Sequence, residues 1–427
     1  MISSFFKQYQ VKYRNLLIPY LFLYALYIIF IGRNQWFFYD DFDFVSNNRI
    51  SGSFISALLM PHNEHTALVP FVLFRLIYML FGLSSYMPYF AINIIVLTIT
   101  FYVLYLFARS IKISSRIAFF GIVFLSFTPA YYENIFWAFQ VGLSLSACFG
   151  FISLGLISAS NRFNKYNKIL VFGALMISVF SSSLGLIFIL MSIILILLNR
   201  SWKSYTASVV LPLTIWILWT VNFSSTQGLS LSKLIFTLKN YTQFMSVGVN
   251  EALTSIFPIA NFGVLVVGVF IYLAFRLTEV QDQKILVAHI LGLFFMWFLL
   301  TYGRASVNGE VNLNLATASR YTFGTLVLLW IPTLMGIDKS LKEIRITYLA
   351  IPLGLVFILW GATTLNGRAN QQEEIEVEIK TNVLNSVRKV HEGSQNTIFL
   401  EDNTPQLDQS DIQYFYQTGK LNSFFDK

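Results

Sequence analysis

Long apolar runs separated by short polar breaks occupy most of the chain. The first, 15–32, follows Lys7, Lys12 and Arg14. Others cover about 87–108, 117–129, 141–159, 169–182, 184–198, 205–223, 261–276, 285–302, 320–337 and 346–365. Apolar stretches near 20 residues predict helices that cross ~30 Å of hydrocarbon, because a helix satisfies its own backbone where no water can. The stretch 66–82 is also apolar, but Arg75 interrupts it. It reads as a span or as a helix lying in the interface. Runs 169–182 and 184–198 are short, and Ser181, Ser182 and Ser183 between them allow a broken or re-entrant pair.

Charge decides between these layouts. Cytoplasmic loops carry the excess of Lys and Arg. With 66–82 kept out of the count there are about 11 spans, and two sets of basic residues separate. One set holds residues 7, 12, 14, 109, 112, 116, 162, 165, 168, 200, 203, 276, 284, 339, 342 and 345. The opposite, sparser set before the tail holds 33, 49, 75, 233, 239, 304 and 320. Making 66–82 a span inverts every later loop and destroys that bias. The expectation is an all-α polytopic membrane protein, N-terminus cytoplasmic and C-terminus extracytoplasmic. Its bundle covers 1–365, with a first outer loop over about 34–86. No small-x-small cleavage site follows the first run, so it reads as an uncleaved first helix.

Composition agrees. Of 427 residues, 56% are hydrophobic and 12% charged, against about 25% charged in soluble domains. Phe, Tyr and Trp number 43, 22 and 8, suited to lipid-facing surfaces and interfacial belts. The lone Cys148 permits no intrachain disulfide. The net charge of +8 reads through topology and not as nucleic-acid binding. From about residue 366 to 427 the chain turns polar and reads as a small extracytoplasmic tail, with amphipathic helices over 373–390 and 411–425.

The polar chemistry concentrates on the outer side of this layout, where Asp40, Asp41, Asp43, Glu64, Glu133, Glu251 and Glu310 fall. Two of the four histidines, His62 and His65, lie in the first outer loop with the three aspartates. Carboxylates and imidazoles move protons at neutral pH. Like charges raise one another's pKa, so Asp40 or Asp41 can be a general base while the other orients it or binds a metal. The plain alternative is a solvated acidic loop capping a helix. As a loop residue, Asp41 is expected to accept Asn without loss of folding. His62, Glu64 and His65 are too close for HExxH zinc spacing; they suit a phosphate or sugar contact, or a structural hydrogen-bonded cluster. The run 131–140, YYENIFWAFQ, places Glu133, Trp137 and Gln140 among aromatics. Rings stack on the apolar faces of sugars while amides bond hydroxyls, although an aromatic belt reads equally well. Arg304 and Arg320 match phosphate oxygens with a planar fork, or snorkel to headgroups. The sequence holds no GxxxxGK[ST], GxGxxG, GxSxG or CxxC motif, so it carries no ATPase engine.

An uncleaved first helix, an acidic pair opening the first large outer loop and interfacial helices before the second span resemble the C-type (GT-C) membrane glycosyltransferases. These include protein mannosyltransferases and the lipid A aminoarabinose transferase. YDDFDF, HNEH, ENIFWAFQ and GR followed by SRY are similar to the bacterial and phage-encoded serotype-converting O-antigen glucosyltransferases, over about 15–340. The resemblance implies an inverting hexosyltransferase of the bacterial inner membrane. A polyprenyl-phosphate sugar would be the donor, and lipopolysaccharide O-antigen or another envelope glycan the acceptor. Asp40 or Asp41 would be the base. Arg304, Arg320, His62 and His65 would hold the donor phosphate. Asp43, Glu64, Glu133, Trp137 and Gln140 would contact acceptor or sugar. The resemblance singles out no cofactor; whether Asp40, Asp41 and Asp43 hold a divalent metal stays open. Membrane lipids, a donor synthase and a flippase are the implied partners. An O-antigen polymerase is the alternative. A transporter or lipid flippase fits less well, because mid-membrane charges and an internal repeat are missing.

Overall fold

The computed structural model describes residues 2–38, 40–45, 53–62, 66–83, 85–159, 165–199, 202–223, 230–254, 256, 262–307, 310–341 and 347–391. Glu64, His65 and the helix expected over 411–425 lie outside the described residues. Helix α1 (Ile2–Ile31) precedes three short elements, α2 (Asp40–Val45), α3 (Phe54–Leu59) and α4 (Leu68–Phe81). Then come α5 (Met87–Ser110), α6 (Ser115–Ser126), α7 (Tyr132–Phe136), α8 (Val141–Ala159), α9 (Lys165–Ser181), α10 (Leu184–Leu198) and α11 (Trp202–Phe223). The last are α12 (Leu231–Thr254), α13 (Phe262–Leu277), α14 (Val280–Arg304), α15 (Ser319–Leu341) and α16 (Thr347–His391). A hairpin pairs β1 (Ser306–Val307) with β2 (Glu310–Val311), Ser306 opposite Val311.

Among the described residues, six helical stretches are long and apolar enough to cross a membrane: Tyr13–Ile31, Met87–Ser110, Ala138–Ser158, Tyr205–Phe223, Asp282–Arg304 and Ser319–Leu341. The chain is thus an all-α membrane protein. Several hydroxyls within the long helices bond back into their own helix. Thr100, Thr301 and Thr333 donate to the carbonyls of Val96, Trp297 and Leu329, which removes a hydroxyl from an apolar setting at little cost.

Among the described residues five apolar helices are too short to cross a bilayer unaided, and α4 and α6 are the shortest of them. At 1.5 Å per residue, the 14 residues of α4 span about 21 Å and the 12 of α6 about 18 Å. Helix α4 exposes Leu76, Met79, Leu80 and Phe81 while burying Phe71, Phe74 and Tyr78, so one apolar face meets the bundle and the other turns away from it. Helix α6 stops early because Pro129 disfavours helical backbone at the residue before it, and a 3-10 turn (Pro129–Tyr131) follows. Helices α9 and α10 meet in a tight turn. A Cβ on Gly185 would lie 2.4 Å from the Val179 backbone, so only glycine fits there.

Two segments depart from the sequence reading. Residues 231–254, expected within an outer loop, form the 24-residue helix α12. Its Lys233, Lys239, Asn240, Gln243 and Glu251 dilute the apolar signal. It packs Phe244 and Gly248 on Trp297 of α14. Helix α16 runs without a break through Leu365, where a separate tail was expected.

Hydrogen bonds define one end of the bundle. There Thr66 Oγ1 donates to the Val179 carbonyl, and Trp219 Nε1 to that of Leu59. Ser114 N to Asp338 Oδ1 and Lys284 Nζ to Asn199 Oδ1 mark the other end. The acidic residues of α2 sit at the first end.

Candidate functional site

Helix α2 sorts its aspartates by helical geometry. Asp40 and Asp43 are three residues apart and share a face, and their side chains are 32% and 35% exposed. Asp41 points the other way and is 0% exposed.

His62 lies between the two exposed carboxylates. Its Nδ1 is 2.6 Å from Asp43 Oδ2 and its Nε2 is 3.6 Å from Asp40 Oδ1. The ring packs on Phe139 and Phe44, with centroids at 4.8 and 5.3 Å. Burial pulls the imidazole pKa down, but the hydrogen bonds and charges of Asp40 and Asp43 outweigh it, and the net shift is upward. When protonated, the ring neutralises part of an acidic pair that would otherwise repel.

Asp41 joins three segments. Its Oδ2 accepts from Phe38 N at 3.0 Å and Tyr86 Oη at 3.1 Å, and its Oδ1 accepts from Phe139 N at 3.0 Å. Tyr86 Oη in turn accepts from Ala138 N at 2.7 Å, and Trp137 Nε1 donates to the Phe38 carbonyl at 3.1 Å. Burial lifts the Asp41 carboxyl well above the ordinary carboxylate range, against those three hydrogen bonds. Both oxygens are engaged and shielded, so Asp41 organises the site while Asp40 faces its opening. The expectation that Asn is harmless at Asp41 is corrected by this burial. An amide would set an N–H against donors that now meet an oxygen.

A second cluster adjoins the first. Glu133 Oε2 accepts from Arg320 N at 3.0 Å at the start of α15 and lies 3.5 Å from its guanidinium. Ser319 Oγ accepts from Glu133 N at 3.1 Å, so α7 and α15 cap each other. The Arg320 guanidinium lies 5.8 Å from the Trp137 ring centroid and within electrostatic range of Asp40. Of the residues singled out in the sequence, Asp40, Asp41, Asp43 and His62 gather at α2, and Glu133, Trp137 and Arg320 beside them. Trp137 is buried against Phe38, with ring centroids 5.3 Å apart. Gln140 turns inward, its Nε2 buried without a hydrogen-bond acceptor. Arg304 closes α14, half-buried, next to the β1–β2 hairpin.

His62 sits between Asp40 and Asp43, and Asp41 gives both oxygens to N–H and O–H donors. Among the described residues no group of three His, Cys, Asp or Glu is arranged to hold a metal ion.

Sequence reasoning missed Tyr86 and Glu376. Tyr86 carried no motif. Glu376 sits in a polar stretch that reads as solvent-exposed. An apolar groove of about 470 Å³ opens beside this region, lined by Leu59, Leu68, Val69, Phe180, Leu218 and Trp219 among others. Leu59 and Leu68 flank His62 along the chain. No family model, curated protein or solved structure matches the chain.

Proposed function

We propose that the chain is an inverting, polyprenyl-phosphate-dependent hexosyltransferase of GT-C type. It works on the outer face of a bacterial inner membrane and moves glucose or another hexose onto O-antigen or another envelope glycan. The topology proposed with it has about 11 spans, a cytoplasmic N-terminus and an extracytoplasmic C-terminus, and it rests on the Lys/Arg distribution.

The observation that carries the reading is the Asp40–His62–Asp43 cluster, partly open, at one end of a membrane bundle beside an apolar groove. In the step it supports, the acceptor hydroxyl oxygen attacks the anomeric carbon as the bond from that carbon to the phosphate oxygen breaks. The hydroxyl proton passes to Asp40, and the electron pair leaves with polyprenyl phosphate. His62, anchored by Asp43, orients Asp40. Base catalysis of this kind contributes roughly 10²–10⁴-fold. Arg320, held by Glu133 and Trp137, is placed to offset the charge of the leaving phosphate. The groove suits an isoprenoid chain entering sideways from the bilayer.

The test is a donor panel with purified full-length protein in lipid vesicles. Transfer from polyprenyl-phosphate hexoses to lipopolysaccharide, read by mass spectrometry, is the expected result. Chain growth from pyrophosphate-linked repeat units, with no use of monosaccharide donors, would replace this reading by the polymerase.

A further inference from the structure

Helix α16 continues as a polar rod past its apolar half, yet one stripe of that rod is buried: Leu365, Ala369, Gln372 and Glu376. The spacing of 4, 3 and 4 residues is one helical face. It docks on the segment that follows α1. Gln35 Nε2 donates to the Ala369 carbonyl at 2.9 Å, and Arg368 Cζ lies 4.8 Å from the Tyr132 ring centroid. At the end of the stripe Glu376 is 1% exposed. Its Oε2 accepts from Trp36 N at 2.6 Å, and its Oε1 from Gln372 Nε2 at 3.0 Å.

A fully buried carboxyl on a polar helix is costly unless it is bonded or neutral. Here it is both. Burial raises its pKa most, against the hydrogen bonds from Trp36 and Gln372; Asp41 and Glu373 push it further, to about 8. The titratable groups facing it are Asp41 from α2, Tyr86 before α5, and Glu373 on its own helix. Two residues beyond Trp36, Phe38 exchanges hydrogen bonds with Asp41: Phe38 N donates to Asp41 Oδ2, and Asp41 N donates to the Phe38 carbonyl.

We infer that Glu376 is a positioning residue for Asp41, a carboxyl lock through which the C-terminal helix holds residues 36–38 and hence the α2 cluster. The lock deepens the reading of this site as catalytic. Ionisation would place a charge in a buried site beside Asp41 and Glu373, so rising pH weakens the lock although its hydrogen bonds favour the carboxylate.

Hydrogen exchange on the full-length protein in detergent tests the lock without relying on any transfer activity. After correction for intrinsic rates, the Trp36–Phe38 amides of the wild type should be best protected near pH 4.5, still partly protected at pH 6, and lose the remainder as pH rises to about 8, with no further loss above it. Glu376→Gln keeps an acceptor for Trp36 N and cannot ionise, and the Gln372 side-chain amide can turn its oxygen toward the new N–H; its protection should stay unchanged between pH 6 and pH 9. Glu376→Ala should exchange these amides about tenfold faster or more at pH 6. The inference is overturned if Glu376→Ala exchanges like wild type, or if Glu376→Gln loses as much protection as Glu376→Ala. If sugar transfer is present, Glu376→Ala lowers kcat with little change in KM, and Glu376→Gln restores it. If transfer is absent from the wild type, the proposed activity fails while the exchange result still decides the lock.

Discussion

His62 Nδ1 lies 2.6 Å from Asp43 Oδ2, while its Nε2 faces Asp40 Oδ1 at 3.6 Å. One imidazole thus links two carboxylates that helix α2 holds on a single face. Their negative charge raises its pKa despite burial. Because the folded-state pKa exceeds that of the unfolded chain, about 6.5, this interaction stabilises fully below that value. The contribution falls as pH rises through the folded pKa. Thermal unfolding followed across about pH 5.5–9 should show wild type losing stability toward the alkaline end. His62→Gln should flatten that slope. An unchanged slope would mean that the imidazole is not charged between the carboxylates.

Asp41 and Asp40 should separate stability from chemistry. Asp41→Asn disturbs three hydrogen bonds to a fully buried carboxyl, at a cost of about 1.5–3 kcal/mol. It should lower the unfolding temperature and expression yield. Asp40→Asn, at a third-exposed side chain, loses one charge facing His62 and should cost less, about 1 kcal/mol or below. Denaturation of both variants checks the contrast, and equal destabilisation would contradict the assignment of Asp41 as the internal organiser.

Much of this was legible in the sequence and part was not, for physical reasons. Spanning helices announce themselves because continuous apolar residues have few other homes. The acidic cluster was visible too, but a six-residue helix shows no periodicity, so which aspartate faces inward depends on Phe38, Tyr86 and Phe139. Residues 231–254 hid their helix because its polar residues lower the local hydropathy. Glu376 was illegible. Its partner Trp36 lies 340 residues away, and nothing local separates a carboxyl that locks a site from one that meets water.

Glu133 should act through Arg320. Glu133→Ala removes the acceptor for Arg320 N and the partner of its guanidinium. Loss of a helix cap costs about 0.5–2 kcal/mol. Donor KM should rise in Glu133→Ala and Arg320→Ala alike, with acceptor KM little changed. Steady-state kinetics with each substrate varied in turn checks this; equal losses for both substrates would assign the pair to structure alone.

The groove makes a prediction about donor length. Val69→Trp fills space between Leu59, Phe180 and Leu218. It should raise KM for long polyprenyl donors and leave short-chain analogues unaffected. A uniform loss across chain lengths would detach the groove from donor binding.

The most direct measurement of the central claim is kcat for sugar transfer by wild type beside Asp40→Asn, both confirmed folded. Use a polyprenyl-phosphate hexose with lipopolysaccharide acceptor. A fall of roughly 10²–10⁴-fold in Asp40→Asn is the predicted result and identifies the exposed aspartate as the base. Full activity in Asp40→Asn would contradict it and take the chemistry away from α2.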